Sequence, residues 1–221
     1  MSAATTIDRI DYVSRDTARW WALAGIVGPI LWYSVMAVLS ATTPGYNWIA
    51  TYASDLSIGP TGWIMQAGFV ACGVLEVVFA LGLLRAGAAR AGAVLTGTAG
   101  LGFVGAGLFV TDPHGTLVTS HGALHVASAM VIFVSVSVAA FLLRHRPGLG
   151  RWYTALAYLA AFATLPLFAS TWMAGPVLGI VQRLMLAIDL GWLCWLAVGA
   201  RRIAATDPAA RLSLASGGGD E

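Results

Sequence analysis

There is no lysine in this chain. Charged residues are 10% of its 221, histidines number four and cysteines two. Each scarcity excludes something. Cys72 and Cys194 lie inside apolar blocks with no partner spacing, so they read as small apolar residues and not as a disulfide or a metal pair. So little charge, at 58% hydrophobic residues and a mean hydropathy of +0.80, does not suit a soluble domain. No nucleic-acid partner is expected.

What is there comes in long apolar blocks, at roughly 20–40, 63–84, 91–110, 121–143, 153–173 and 177–199. A helix of about 20 apolar residues crosses the hydrocarbon of a bilayer. The first block exceeds a signal h-region and lacks a small-x-small cleavage pattern, so it is read as a retained helix. The basic residues are all arginines, twelve of them. Arg9, Arg15 and Arg19 precede the first block. Arg85 and Arg90 separate the second and third, and Arg144, Arg146 and Arg151 the fourth and fifth. Arg201, Arg202 and Arg211 follow the sixth. The connections 41–62, 111–120 and 174–176 carry none. Positive charge marks the cytoplasmic face. The expectation is an all-α, polytopic bundle of six transmembrane helices with both termini cytoplasmic, a multi-pass protein of the cell (plasma) membrane. Residues 1–19 form a cytoplasmic leader, read as an interfacial helix or a frayed polar segment. Residues 20–200 form the membrane domain, and 201–221 a disordered tail.

The third block carries Gly92, Gly97, Gly100, Gly102, Gly105 and Gly107. Without a preceding strand or a lysine it is no phosphate loop, and close helix packing is its reading. The connection 41–62 is expected to fold back on the outer mouth of the bundle.

Three of the four histidines, His114, His121 and His125, stand in "TDPHGTLVTSHGALH" beside Asp112. Ser120 is the expected N-cap of the fourth helix. His121 and His125, four apart, then share a helix face. Such a pair binds one metal ion if a third ligand joins, here Asp112, His114 or Asp55. Zinc is the expected ion, and interfacial hydrogen bonding is the competing reading. A b-type haem is disfavoured, because two histidines on one helix cannot flank it. Glu76, Arg183 and Asp189 lie inside the blocks, so they should face the interior, paired or protonated. Arg183 is expected to pair with Asp55 or Asp112, or to hold an anionic substrate group. Gln182 and Asp189 share a face.

Pro44-Gly45-Tyr46, Ser54-Asp55-Leu56, Asp112-Pro113, His121 with His125, and Gln182-Arg183 together resemble the bacterial and archaeal membrane family catalogued as domain of unknown function 998. The resemblance covers most of residues 25–200, with Val110 where the family commonly has proline. It implies the six-helix fold and no particular activity.

Three functions fit. One is a metal-assisted hydrolase acting on a lipid-like substrate at an outward site built from Asp55, Asp112, His121, His125 and Arg183. Another is a metal-free enzyme of terpene-cyclase type, with Asp189 or Glu76 as buried acid among aromatic rings. The third is a non-catalytic small transporter or a subunit of a membrane complex, although no broken-helix repeat favours transport. Membrane lipids or a hydrophobic small molecule are the expected partners. The oligomeric state is not legible.

Overall fold

In lipid a backbone has no water to bond, so an apolar block satisfies its own amides by coiling into a helix. Six blocks do so in the computed structural model, which describes residues 3–86, 88–113, 116–146 and 149–205, with side chains from Trp20 to Arg202. The helices are α1 (Ala3–Thr42), α2 (Gly62–Arg85), α3 (Arg90–Leu108), α4 (Ser120–Leu142), α5 (Gly150–Thr171) and α6 (Leu178–Ala205). Each contains a stretch long and apolar enough to cross a membrane. The leader is helical from Ala3 and runs into the first span without a break. His114 and the tail from residue 206 lie outside the described residues.

Each helix packs on its neighbours in sequence, and α6 returns to α1, so the six close into a ring. Large side chains such as Val38, Leu101 and Phe162 stay exposed on its flank. Inside, Trp32 meets Phe69 and Phe103 edge to face, at 5.4 Å and 6.2 Å between ring centres. The glycines of α3 act as expected. A methyl group on Gly100 would lie 2.7 Å from the Gly73 carbonyl oxygen of α2, so the two backbones touch there. Small residues permit such contact where lipid offers no hydrophobic drive between helices.

The α1–α2 connection folds back over the arginine-poor end, as expected. Its 3₁₀ turn, Ala53–Ser57, buries Ala53, Ser54, Leu56 and Ser57. That turn packs on α1, α2 and α6.

Candidate functional site

The first loop is locked to α6. Gln182 Oε1 accepts from the Ala53 N–H at 2.7 Å. The Ile49 carbonyl accepts from the Gly179 and Ile180 amides, two donors that a helix start leaves without intrahelical partners. The Arg183 guanidinium donates to the Thr51 and Gly179 carbonyls at 3.1 Å each, to Ser40 Oγ at 3.4 Å, and to the Tyr46 hydroxyl. Tyr46 in turn donates to the Tyr52 carbonyl at 2.8 Å. Burial raises the Tyr46 phenol above its ordinary pKa, against the lowering effect of the Arg183 hydrogen bond, so it stays protonated as a donor. The expected pairing of Arg183 with Asp55 or Asp112 is not among these hydrogen bonds. Among the described residues its hydrogen bonds run to neutral oxygens and to no carboxylate. The fork thus ties a carbonyl of the loop to a carbonyl of α6 and to hydroxyls of α1 and the loop.

Asp112 is occupied at the start of α4. Its carboxylate accepts from the Thr119 N–H and from the Thr119 hydroxyl, both at 2.7 Å. The Thr119 hydroxyl accepts from the Gly122 N–H at 3.1 Å. Thr119, and not the expected Ser120, is therefore the N-cap. The Thr119 hydroxyl, then the Thr119 N–H, then His121 hold the Asp112 carboxyl below its ordinary pKa. A negative charge at a helix N-terminus also meets the positive end of the helix dipole.

The two histidines part company. His121 is exposed and stands edge-on to Phe109, ring centres 5.8 Å apart. His125 is buried, and its Nδ1 lies 3.0 Å from the Ala106 carbonyl and 2.8 Å from that of Phe109. It thus caps the C-terminal end of α3, where carbonyls lack intrahelical donors. Asp112 is taken by Thr119 and His125 Nδ1 by α3. No three His, Cys, Asp or Glu among the described residues are grouped so as to hold a metal ion.

Deeper in the ring, Asp189 of α6 accepts at Oδ1 from the Thr164 hydroxyl of α5, while Oδ2 has no partner. Glu76 of α2 is buried beside Cys72, whose Sγ lies 3.9 Å from Oε1.

Below the folded loop lies a cavity of about 110 Å³. Tyr52, Ala53 and Ser54 roof it, and the Tyr52 hydroxyl reaches the Thr171 carbonyl at 3.4 Å. Trp32, Phe69, Phe103, Phe133 and Phe168 form its walls. His125, Thr171 and Gln182 supply polar groups. None of its described lining residues is charged. Of the seven site residues expected from sequence, His125 lines this cavity. Asp55 lies in the roof turn beside the lining, Arg183 and Asp112 hold the surrounding chain, His121 faces outward, and Asp189 and Glu76 lie deeper. Trp32, Phe69, Phe103 and Phe168 are not among the site residues expected from sequence. The usable signal was the depth of Trp32, which lies mid-helix and not at the ends where aromatic belts collect.

The family model described as Protein of unknown function (DUF998) matches residues 26–199, from within α1 to within α6. The chain belongs to that family. No curated protein and no solved structure matches it. In this DUF998 chain the motif residues Gln182, Arg183, Asp112 and His125 either anchor the loop and helix ends around the cavity or line it.

Proposed function

We propose that this DUF998 protein takes a lipid-like, uncharged molecule from the surrounding bilayer into the cavity beneath its first loop. The carrying observation is the composition and position of that cavity. Its walls are aromatic and aliphatic, its lining is uncharged, and its polar groups are few, as in sites for hydrophobic small molecules. Two lining residues, Val126 of α4 and Trp172 just past the end of α5, are 43% and 70% exposed. A hydrocarbon chain therefore has a route in between α4 and α5. The arginine bias puts this end of the bundle on the side away from the cytoplasm.

The chemistry on offer is that of one imidazole. With Nδ1 donating to carbonyls, His125 Nε2 is the free acceptor and can take a proton from a bound group. Metal-assisted hydrolysis draws less support, since Asp112 and His125 would have to release Thr119 and the α3 carbonyls. Buried-acid chemistry also draws less support, because neither Asp189 nor Glu76 lines the cavity.

The test is a photoreactive diazirine on an alkyl chain, activated in membranes holding the full-length protein. Label is expected on the α4 and α5 segments around Phe133 and Phe168. Ala129→Phe, which places a ring in the cavity, should abolish it with the fold intact. Labelling spread evenly over the outer flank, and unchanged by Ala129→Phe, would refute the reading.

A further inference from the structure

Two polar groups on the cavity wall have hydrogen-bonding capacity that the protein does not use. Trp32 is fully buried and lines the cavity, and its Nε1 has no partner. An indole N–H can only donate, and a buried donor left unmade is costly. The second group is His125. Its Nδ1 faces two carbonyl oxygens, at 3.0 and 2.8 Å, and a carbonyl can only accept, so the ring proton sits on Nδ1. The ring is buried among aromatic side chains with no carboxylate among its hydrogen-bond partners, so it is neutral and Nε2 is an acceptor. Both rings pack edge-on to Phe69, with centroids 5.4 Å and 6.1 Å from it. An unused donor and an unused acceptor thus flank one ring of the same cavity.

We propose that the cavity recognises an alcohol. The hydroxyl oxygen accepts from Trp32 Nε1, and the hydroxyl hydrogen is donated to His125 Nε2. The hydrocarbon chain lies along Phe133 and Phe168 toward the gap between α4 and α5. A hydroxyl is both donor and acceptor, so one group satisfies both side chains. A carboxylate or a phosphodiester fails twice. It has no hydrogen for Nε2, and it brings a charge that no described lining residue neutralises. A ketone satisfies Trp32 alone, and an alkane neither. This inference rests on the cavity being a site for hydrophobic molecules, as argued above.

The experiment titrates 1-decanol, decane and decanoate into the full-length protein in lipid nanodiscs, with concentrations counted as mole fraction in the bilayer. The indole N–H resonance of Trp32, assigned through Trp32→Phe, reports the wall. That of Trp172 reports the rim. Decanol is expected to shift the Trp32 signal downfield and to saturate at about a tenfold lower mole fraction than decane, the factor one hydrogen bond confers. Decanoate should not shift it. Trp32→Phe keeps the aromatic packing and should remove the preference for decanol over decane, read at Trp172. His125→Asn keeps a donor near the Nδ1 position, removes the Nε2 acceptor, and should reduce the preference as well. Equal midpoints for decanol and decane, or a tighter decanoate, overturn the alcohol assignment while leaving the cavity as an apolar site. If none of the three perturbs Trp32 or Trp172, the site itself is refuted, and the alcohol with it.

Discussion

The Asp112 carboxylate occupies the space where a side chain on Gly122 would stand. The contact closes a chain of hydrogen bonds from the Gly122 N–H through the Thr119 hydroxyl to Asp112. Glycine at this position lets the loop carboxylate sit on the first turn of α4, and that turn carries His125 into the cavity wall. Gly122→Ala is expected to push Asp112 off the helix end and to cost about 1–2 kcal/mol, similar to losing an N-cap. Thr119→Ala should cost about 1 kcal/mol. Thermal unfolding in detergent checks both. Parental midpoints in both variants would dismiss the cap.

Acid should dissolve the same arrangement. Hydrogen bonds from Thr119, then the neighbouring His121, lower the Asp112 pKa in the folded protein. A carboxyl lowered by folding stabilises above its unfolded value, about 3.9, and that contribution is lost as pH falls through the lower folded value. Asp112→Asn should therefore have a lower midpoint at neutral pH and a flatter decline below about pH 4. Parallel curves for parent and variant would count against the assignment.

Arg183→Lys tests the lock on the first loop. A planar guanidinium serves Thr51, Gly179, Ser40 and Tyr46 at once, and a single ammonium cannot reach all four. Amide exchange of the loop around Ala53 should quicken by about tenfold, the loss of one to two net hydrogen bonds. Tyr46→Phe removes one acceptor and should do less. Unchanged exchange in Arg183→Lys would mean that the fork does not hold the loop.

His121→Ala and His125→Ala should differ. His121 is exposed, so its loss is expected to be mild. His125→Ala removes the donor to the Ala106 and Phe109 carbonyls and leaves space in the cavity, at a cost of about 2–3 kcal/mol. Unfolding midpoints, measured with elemental analysis for zinc, separate this from a shared metal. Equal losses accompanied by loss of stoichiometric zinc would restore the metal site.

Thr164→Val should destabilise by about 1–3 kcal/mol, because it leaves the buried Asp189 carboxyl without its hydroxyl donor. Thr164→Ser should be near neutral. A null effect of the valine would show that Asp189 finds another partner.

Sidedness is checked by reporters placed at Thr116 and at Arg146. They should report the external and the cytoplasmic side respectively. The same side for both would overturn the orientation.

Much of the architecture was already determined by the amino-acid sequence. Apolar length demands helices in lipid, because only a coiled backbone satisfies its own amides there. The glycines of α3 marked it for close packing, since a missing side chain is a local fact with a direct packing consequence, and the folded bundle supplied α2 as the partner. The fold-back of the first loop was legible from its length and its turn residues. The allocation of polar groups was decided by tertiary structure alone. His121 and His125 are four apart on one helix, yet α4 leans on α3, so one imidazole meets the α3 carbonyls and the other stays outside. Arg183 was expected to seek a carboxylate. The loop brought it carbonyl and hydroxyl oxygens first, and nothing in the spacing between residues 51 and 183 announces that meeting. Trp32 became a cavity wall because the ring of helices brings α1 into contact with Phe69 and Phe103. Periodicity records which face of a helix is apolar. The group waiting opposite that face depends on how six helices close, and only the folded bundle contains that.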